Sequence, residues 1–320
     1  MALCMRVAGS SRSFPGILVA TIFILTACSS TPRESIGVDH SADTAEQGYC
    51  RTRTCQPPSE YPTGGACEPP GWAVSPACLG RASDAPIWWH TACVGYDLNQ
   101  SASRYVPYAT ASQSVRAAFD AWLQANCSSS AGGSVRPSID MRDLGPVPCS
   151  HAAYDKTGGP NQNVIVFHDD AWPYDVDDAA GLVTKSPTVA LTTVTFDPDT
   201  GEIYDADIEL NTADHVITQL PVGTPGDGTS FDLQSVLTHE IGHFLGLAHS
   251  PLADAVMYAF GDGDQSTTKR ALAAEDVDGI CAIYPPDGTR SVSALVDASG
   301  HIAEGACDPT PHHGFTASCP

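Results

Sequence analysis

The segment His239-Glu240-Ile241-Gly242-His243-Phe244-Leu245-Gly246-Leu247-Ala248-His249 holds the side chains best spaced for chemistry. On a helix, His239 and His243 stand about 6 Å apart along the axis and about 40° apart around it, so both imidazoles share one face. Two such rings can converge on one metal ion, and zinc is the ion that imidazole nitrogen suits best here. Glu240 follows the first ligand and lies beside the ion, where a base for an attacking water belongs. Gly246 is the residue that readily ends a helix in the left-handed conformation. The chain can then double back and bring His249 to the same ion. Three neutral imidazoles leave a fourth position open, the mark of a catalytic zinc; structural sites are closed by four protein ligands.

These groups need elements to carry them. Asp232 is an expected N-cap for the motif helix, whose apolar stripe is Leu233, Val236, Leu237, Ile241 and Leu245. Residues 111–126 form a second expected helix, capped by Thr110, with Val115, Phe119, Trp122 and Leu123 on its buried face. The apolar run 163–167 predicts a buried strand, and residues 87–89 a first strand. Residues 189–196 and 202–210 predict two more strands, joined by the turn Asp197-Pro198-Asp199-Thr200-Gly201. A last helix over 274–284 is stopped by Pro285 and Pro286.

The motif resembles the metzincin signature, H-E-x-x-H-x-x-G-x-x-H. Met257, within Asp254-Ala255-Val256-Met257-Tyr258, resembles that family's Met-turn. Ser250 after the third histidine, the eight-residue spacing to Met257, and Met-Tyr at the turn are similar to the matrixin branch. So are Leu272 with 275–280 and Tyr284, and the strand Ala206-Asp207-Ile208-Glu209-Leu210-Asn211. The resemblance spans roughly residues 85–285 and points to a secreted or lipoprotein bacterial member. It implies an α+β metzincin catalytic domain: a twisted, mostly parallel sheet with an antiparallel edge strand, an active-site helix, a Met-turn and a C-terminal helix. It also implies a zinc metalloendopeptidase whose substrate lies along the edge strand Val189, Ala190, Leu191, Thr192 and Thr193, with a specificity wall over 258–269. Ala259 departs from the proline usual after the Met-turn tyrosine. His168, Asp169 and Asp170 do not match the matrixin structural-zinc spacing, so no second zinc is expected and His168 reads as a surface histidine. Asp197, Asp199, Asp207 and Glu209 are the candidate oxygen ligands for calcium, although a solvated turn explains the first two equally well. No segment matches the matrixin inhibitory Pro-Arg-Cys-Gly pattern; Cys50 and Cys55, with Arg51 and Arg53 nearby, read as disulfide cysteines.

The rest of the chain sets the context. Its 320 residues carry 15 Lys+Arg and 37 Asp+Glu, a net charge of −22, which repels nucleic acid. Residues 1–27 read as a signal peptide with Arg6 and Arg12 before an apolar run over 17–25, too short to span a membrane. The run ends in Leu25-Thr26-Ala27-Cys28, which resembles a bacterial lipobox, with Cys28 the lipidated residue; an ordinary cleaved signal is the alternative. Residues 28–48 read as a disordered tether, 49–86 as a Cys-rich segment packed on the domain, 87–286 as the catalytic domain and 287–320 as a Cys-containing tail. Without Cys4 and Cys28, the 12 cysteines leave an even set of ten, a disulfide framework for an exported chain. The expected protein is a monomer in the bacterial envelope (outer membrane or cell surface) or secreted, touching membrane only through its lipid and acting on protein or peptide substrates. Two rival readings stay open: an inactive zinc-bearing surface binding module, and a zinc hydrolase of a non-peptide amide.

Overall fold

The computed structural model describes residues 2–9, 49–53, 85–128, 134–154, 161–175, 186–223, 228–259 and 266–286. In chain order the elements are β1 (Ala2–Gly9), β2 (Cys93–Asn99), α1 (Tyr108–Leu123), β3 (Cys127–Ser128), β4 (Ser134–Val135), β5 (Asp140–Val147), β6 (Val164–Phe167), β7 (Thr188–Phe196) and β8 (Ile203–Leu210). Then come β9 (Val216–Thr218), β10 (Ser230–Asp232), α2 (Leu233–Phe244), a short 3-10 turn at Thr268–Arg270, and α3 (Ala274–Ile283). One sheet has the order β1-β7-β8-β6-β2-β5. Only β7 and β8 pair antiparallel in it; the other neighbours run parallel. The five strands β2 and β5–β8 thus make the expected mostly parallel sheet with an antiparallel strand at its margin. Beyond that margin, β1, from the segment read as a leader, pairs with β7 from Ala2↔Thr188 to Gly9↔Phe196.

Strand alternation sorts the side chains. On β8, Ala206, Ile208 and Leu210 enter the main core, while Asp205, Asp207 and Glu209 occupy the other face. The core is closed by α1 through Val115, Phe119 and Trp122, and by α2 through Leu237, Ile241 and Phe244. Phe119 meets Phe244 edge-on with centroids 5.5 Å apart. The Trp122 indole donates to Thr238 O at 2.8 Å, so the two helices are joined by a directed bond as well as by apolar contact. Cys127 is bridged to Cys281 on α3, and Cys50, Cys93 and Cys149 are also disulfide-bonded.

Three expectations need correction. Residues 87–89 form no strand. Ile87 N donates to Thr52 O, and Trp88 exchanges bonds with Gly201 and Ile203, so the run is apolar because it is buried between irregular partners. The first helix begins at Tyr108 after Pro107, with no side-chain cap from Thr110. His168 is half-buried and engaged rather than a free surface histidine. Its Nε2 lies 2.7 Å from Glu209 Oε1 and its ring stands edge-on to Trp172. The readings of residues 10–48, including lipidation at Cys28, of residues 54–84 of the Cys-rich segment, including Cys55, and of residues 287–320 lie outside the described residues. So does the specificity wall over 260–265.

Candidate metal centre

Helix α2 is fixed at both ends. At its start, Asp232 accepts from Ser235 N at 3.0 Å, an N-cap bond. Arg270 clamps the same carboxylate through Nε at 2.8 Å and a terminal nitrogen at 2.6 Å. At its end, the carbonyls of Phe244 and Leu245 would lack helical partners. They accept instead from the Trp89 indole at 2.8 Å and the Tyr284 hydroxyl at 2.9 Å. Gly246 then takes φ +97°, and a Cβ there would sit 2.5 Å from Ile87 O. Both conditions exclude other residues, so the turn that returns the chain toward α2 is specific to glycine.

That return is stitched to the N-terminal strap at residues 49–53. Thr52 N donates to Gly246 O at 3.0 Å, Ala248 N donates to Cys50 O at 2.9 Å, and Thr52 Oγ1 donates to Leu247 O at 3.2 Å. The result brings three buried imidazoles together, with ring centroids 4.7 to 5.2 Å apart. His239 Nδ1 donates to Val256 O at 2.7 Å and His243 Nδ1 to Leu247 O at 2.9 Å. Each ring therefore keeps its Nε2 lone pair for a ligand, the orienting arrangement that metal-binding histidines use. His239 Nε2 is buried with no hydrogen-bond partner among the described residues. His243 Nε2 and His249 Nε2 lie 3.1 Å apart. Two nitrogens held tetrahedrally at zinc bond length would be about 3.3 Å apart, so the donor set fits zinc. Burial, with the neighbouring rings, pushes His239 down to about 3 and His243 well below the ordinary histidine range, leaving both neutral as ligands must be. Among the described residues this is the one group of three or more such side chains whose donor atoms converge.

Glu240 is fully buried beside these rings. Burial raises its pKa to about 8, partly offset by a hydrogen bond from Thr192. Thr192 Oγ1 donates to Glu240 Oε2 at 2.6 Å, whereas Oε1 has no partner among the described residues. Met257 packs against Gly242, which lies between His239 and His243 on α2. A Cβ on Gly242 would collide with its sulfur, so glycine at that helix position is what admits the methionine. Asp276 of α3 holds the turn, accepting from Val256 N at 2.7 Å and Met257 N at 3.2 Å. Ser250 N donates to Met257 O at 2.7 Å and ties the turn to the third histidine.

The sequence reading named His239, Glu240, His243, His249 and Met257, and the structure assembles all five. Val189, Ala190, Leu191, Thr192 and Thr193 do lie on the strand beside α2, but β1 pairs along their outer side. The four calcium candidates do not form one site. Asp197 closes its own turn, accepting from Asp199 N, Thr200 N and the Tyr204 hydroxyl. Asp199 sits in that turn, Asp207 accepts from Val164 N and Ala153 N, and Glu209 is engaged by His168 and Tyr174. Sequence reasoning missed the supporting groups Asp276, Arg270, Thr52 and the Thr192 hydroxyl. Asp276 could have been found as an acidic residue in the first turn of the last helix; the others carry no local signal.

Residues 151–285 match the matrixin family. The chain is 37% identical over 113 residues to metalloendoproteinase 1 of Glycine max, covering 35% of this chain and 32% of that one. Metalloendoproteinase 5-MMP of Arabidopsis thaliana is 49% identical over 57 residues, 18% of this chain and 15% of the relative. Stromelysin-1 of Rattus norvegicus is 41% identical over 70 residues, 22% of this chain and 14% of the relative. The chain spans a third or less of the length of these relatives.

Proposed function

We propose that the chain is an exported zinc metalloendopeptidase that hydrolyses peptide bonds in proteins. The observation that carries this reading is the convergence of three buried imidazoles, two of them oriented by backbone carbonyls, beside a buried carboxylate with one free oxygen. The matrixin match over residues 151–285 and the relatives named as metalloendoproteinases support it. His239, His243 and His249 would hold the zinc. When bound, zinc supplies a Lewis acid that polarises a carbonyl and acidifies water.

Every other part of the reaction falls to this chain's residues. Oε1 of Glu240 faces no protein donor, so it is free to take the proton of the attacking water. Glu240 then returns that proton to the leaving amine. The buried setting of the carboxylate keeps competing solvent away from it. Substrate would lie extended along β7, main chain to main chain, which gives affinity with little sequence demand. That edge is paired by β1 in the full chain, so removal of residues 1–27 on export would release it. Lipidation at Cys28 would tether the mature chain to the envelope as a monomer.

The test joins metal analysis to proteolysis. The processed chain, without residues 1–27, should carry one zinc and cleave casein or gelatin, with activity lost to a chelator and restored by zinc. Glu240→Ala should keep the zinc and lose cleavage. A zinc-loaded chain that cleaves no protein or peptide would sink the reading and favour an inactive binding module or a hydrolase of another amide.

A further inference from the structure

We propose that the Thr192 hydroxyl is a positioning group for Glu240, holding one carboxylate oxygen so that the other faces the reacting centre. This deepens the proposed peptidase reading and rests on it for its kinetic consequence.

The observations are geometric. Thr192 is fully buried on β7 and Glu240 is fully buried on α2, 48 residues further along the chain. Oγ1 lies 2.6 Å from Glu240 Oε2 and 3.1 Å from the Glu240 carbonyl oxygen. The single hydroxyl proton serves the shorter contact, a charge-assisted one when the carboxylate is ionised. Oε1 has no partner among the described residues. The final torsion of a glutamate side chain is broad and unselective by itself. A bond to one oxygen from a different element removes that freedom and leaves the second oxygen aimed. The neighbours on the same face of β7 are Ala190 and Val194, both buried and apolar, so neither can supply the bond. Threonine is stiff at χ1, which keeps the hydroxyl in place. The same strand is the proposed rest for substrate, so the base would be aimed from the element along which the peptide lies.

The test compares the processed chain, without residues 1–27, with its Thr192→Val variant, which keeps the shape and loses the hydroxyl, and its Thr192→Ser variant, which keeps the hydroxyl. On a fluorogenic peptide, Thr192→Val should lower kcat about 10- to 100-fold with KM changed less than about twofold. Zinc content should stay as in the parent, and Thr192→Ser should recover to within about threefold of it. A second readout needs no turnover: the visible spectrum of the cobalt-loaded chain should shift in Thr192→Val, not in Thr192→Ser, and not when Thr192→Val is added to Glu240→Ala. An undiminished kcat in Thr192→Val, or equal damage from Val and Ser, overturns the proposal. If the zinc-loaded parent cleaves no peptide, the peptidase reading falls and the cobalt spectra alone decide: a shift confined to Thr192→Val upholds the positioning role, and identical spectra overturn it. Should Thr192→Val not fold, Thr192→Ala takes its place in both measurements.

Discussion

Two buried polar regions lie on opposite faces of the β7–β8 pair, and they are finished differently. On the face toward α2, His239 Nε2 and Glu240 Oε1 are buried with no partner among the described residues. On the other face, Glu209 is engaged by His168 at 2.7 Å and by the Tyr174 hydroxyl at 2.6 Å, while Asp207 takes two backbone amides. Buried polar groups are ordinarily satisfied, because an orphan costs about 1–3 kcal/mol. The second region obeys this and reads as structure: it fastens the chain around 153, 164, 168 and 174 onto the sheet. The first breaks it at the atoms that a metal ion and a water would use. Asp205 and Thr193 are exceptions on the structural face: one Asp205 oxygen, beside the Asp207 carboxylate, and the Thr193 hydroxyl lack a partner among the described residues.

The contrast can be broken experimentally. The largest effect belongs to Glu240→Gln, which should reduce peptide cleavage about 10²- to 10⁴-fold while zinc stays bound and the urea midpoint barely moves. Glu209→Ala should do the reverse. It strips partners from His168 and Tyr174 and should cost about 3 kcal/mol in urea unfolding, with the zinc stoichiometry unchanged. A loss of zinc in that variant would mean the two faces are not separate. Gly246→Ala joins the two behaviours, because a side chain at φ +97° is strained and meets Ile87 O. We expect a loss of about 2 kcal/mol, together with weaker zinc retention against a chelator, since His249 depends on that turn.

The smallest effect is a pH dependence. Burial first, and then the Asp207 charge, holds Asp205 well above the ordinary carboxylate range. At this group the folded state therefore binds more protons than the unfolded state from about pH 4 upward, and its contribution to stability is lost as pH rises through the raised pKa. Asp205→Asn removes one of the two like charges. Its thermal midpoint should drop less than the parent's between about pH 5 and about pH 8. An equal drop in both proteins would remove Asp205 from the account.

What could be seen in the sequence followed the range of each signal. The motif helix, its Asp232 cap, the Gly246 stop and Met257 are set by spacings within a few turns of chain, and these appear where the spacing placed them. The run 87–89 misled because apolar content reports burial without saying what does the burying; its partners are Thr52 and Gly201, far away in sequence. Strand β5 was unseen because its middle residues face solvent and Gly145 and Pro146 interrupt it, as suits the sheet's edge. His168 and Thr192 owe their roles to partners 41 and 48 residues away. No window along a single chain reports such pairs.

The bridge between Cys127 and Cys281 joins residues 154 apart, an interval that contains the whole metal centre. A hoop of that length denies the unfolded chain about 5 kcal/mol of conformational freedom in the loop-closure view. It also anchors α3, whose Asp276 keeps the methionine turn in place. Before oxidation, nothing covalent draws this ring closed. The chain's capacity to grip its ion is thus tied to the chemistry of the compartment in which it matures.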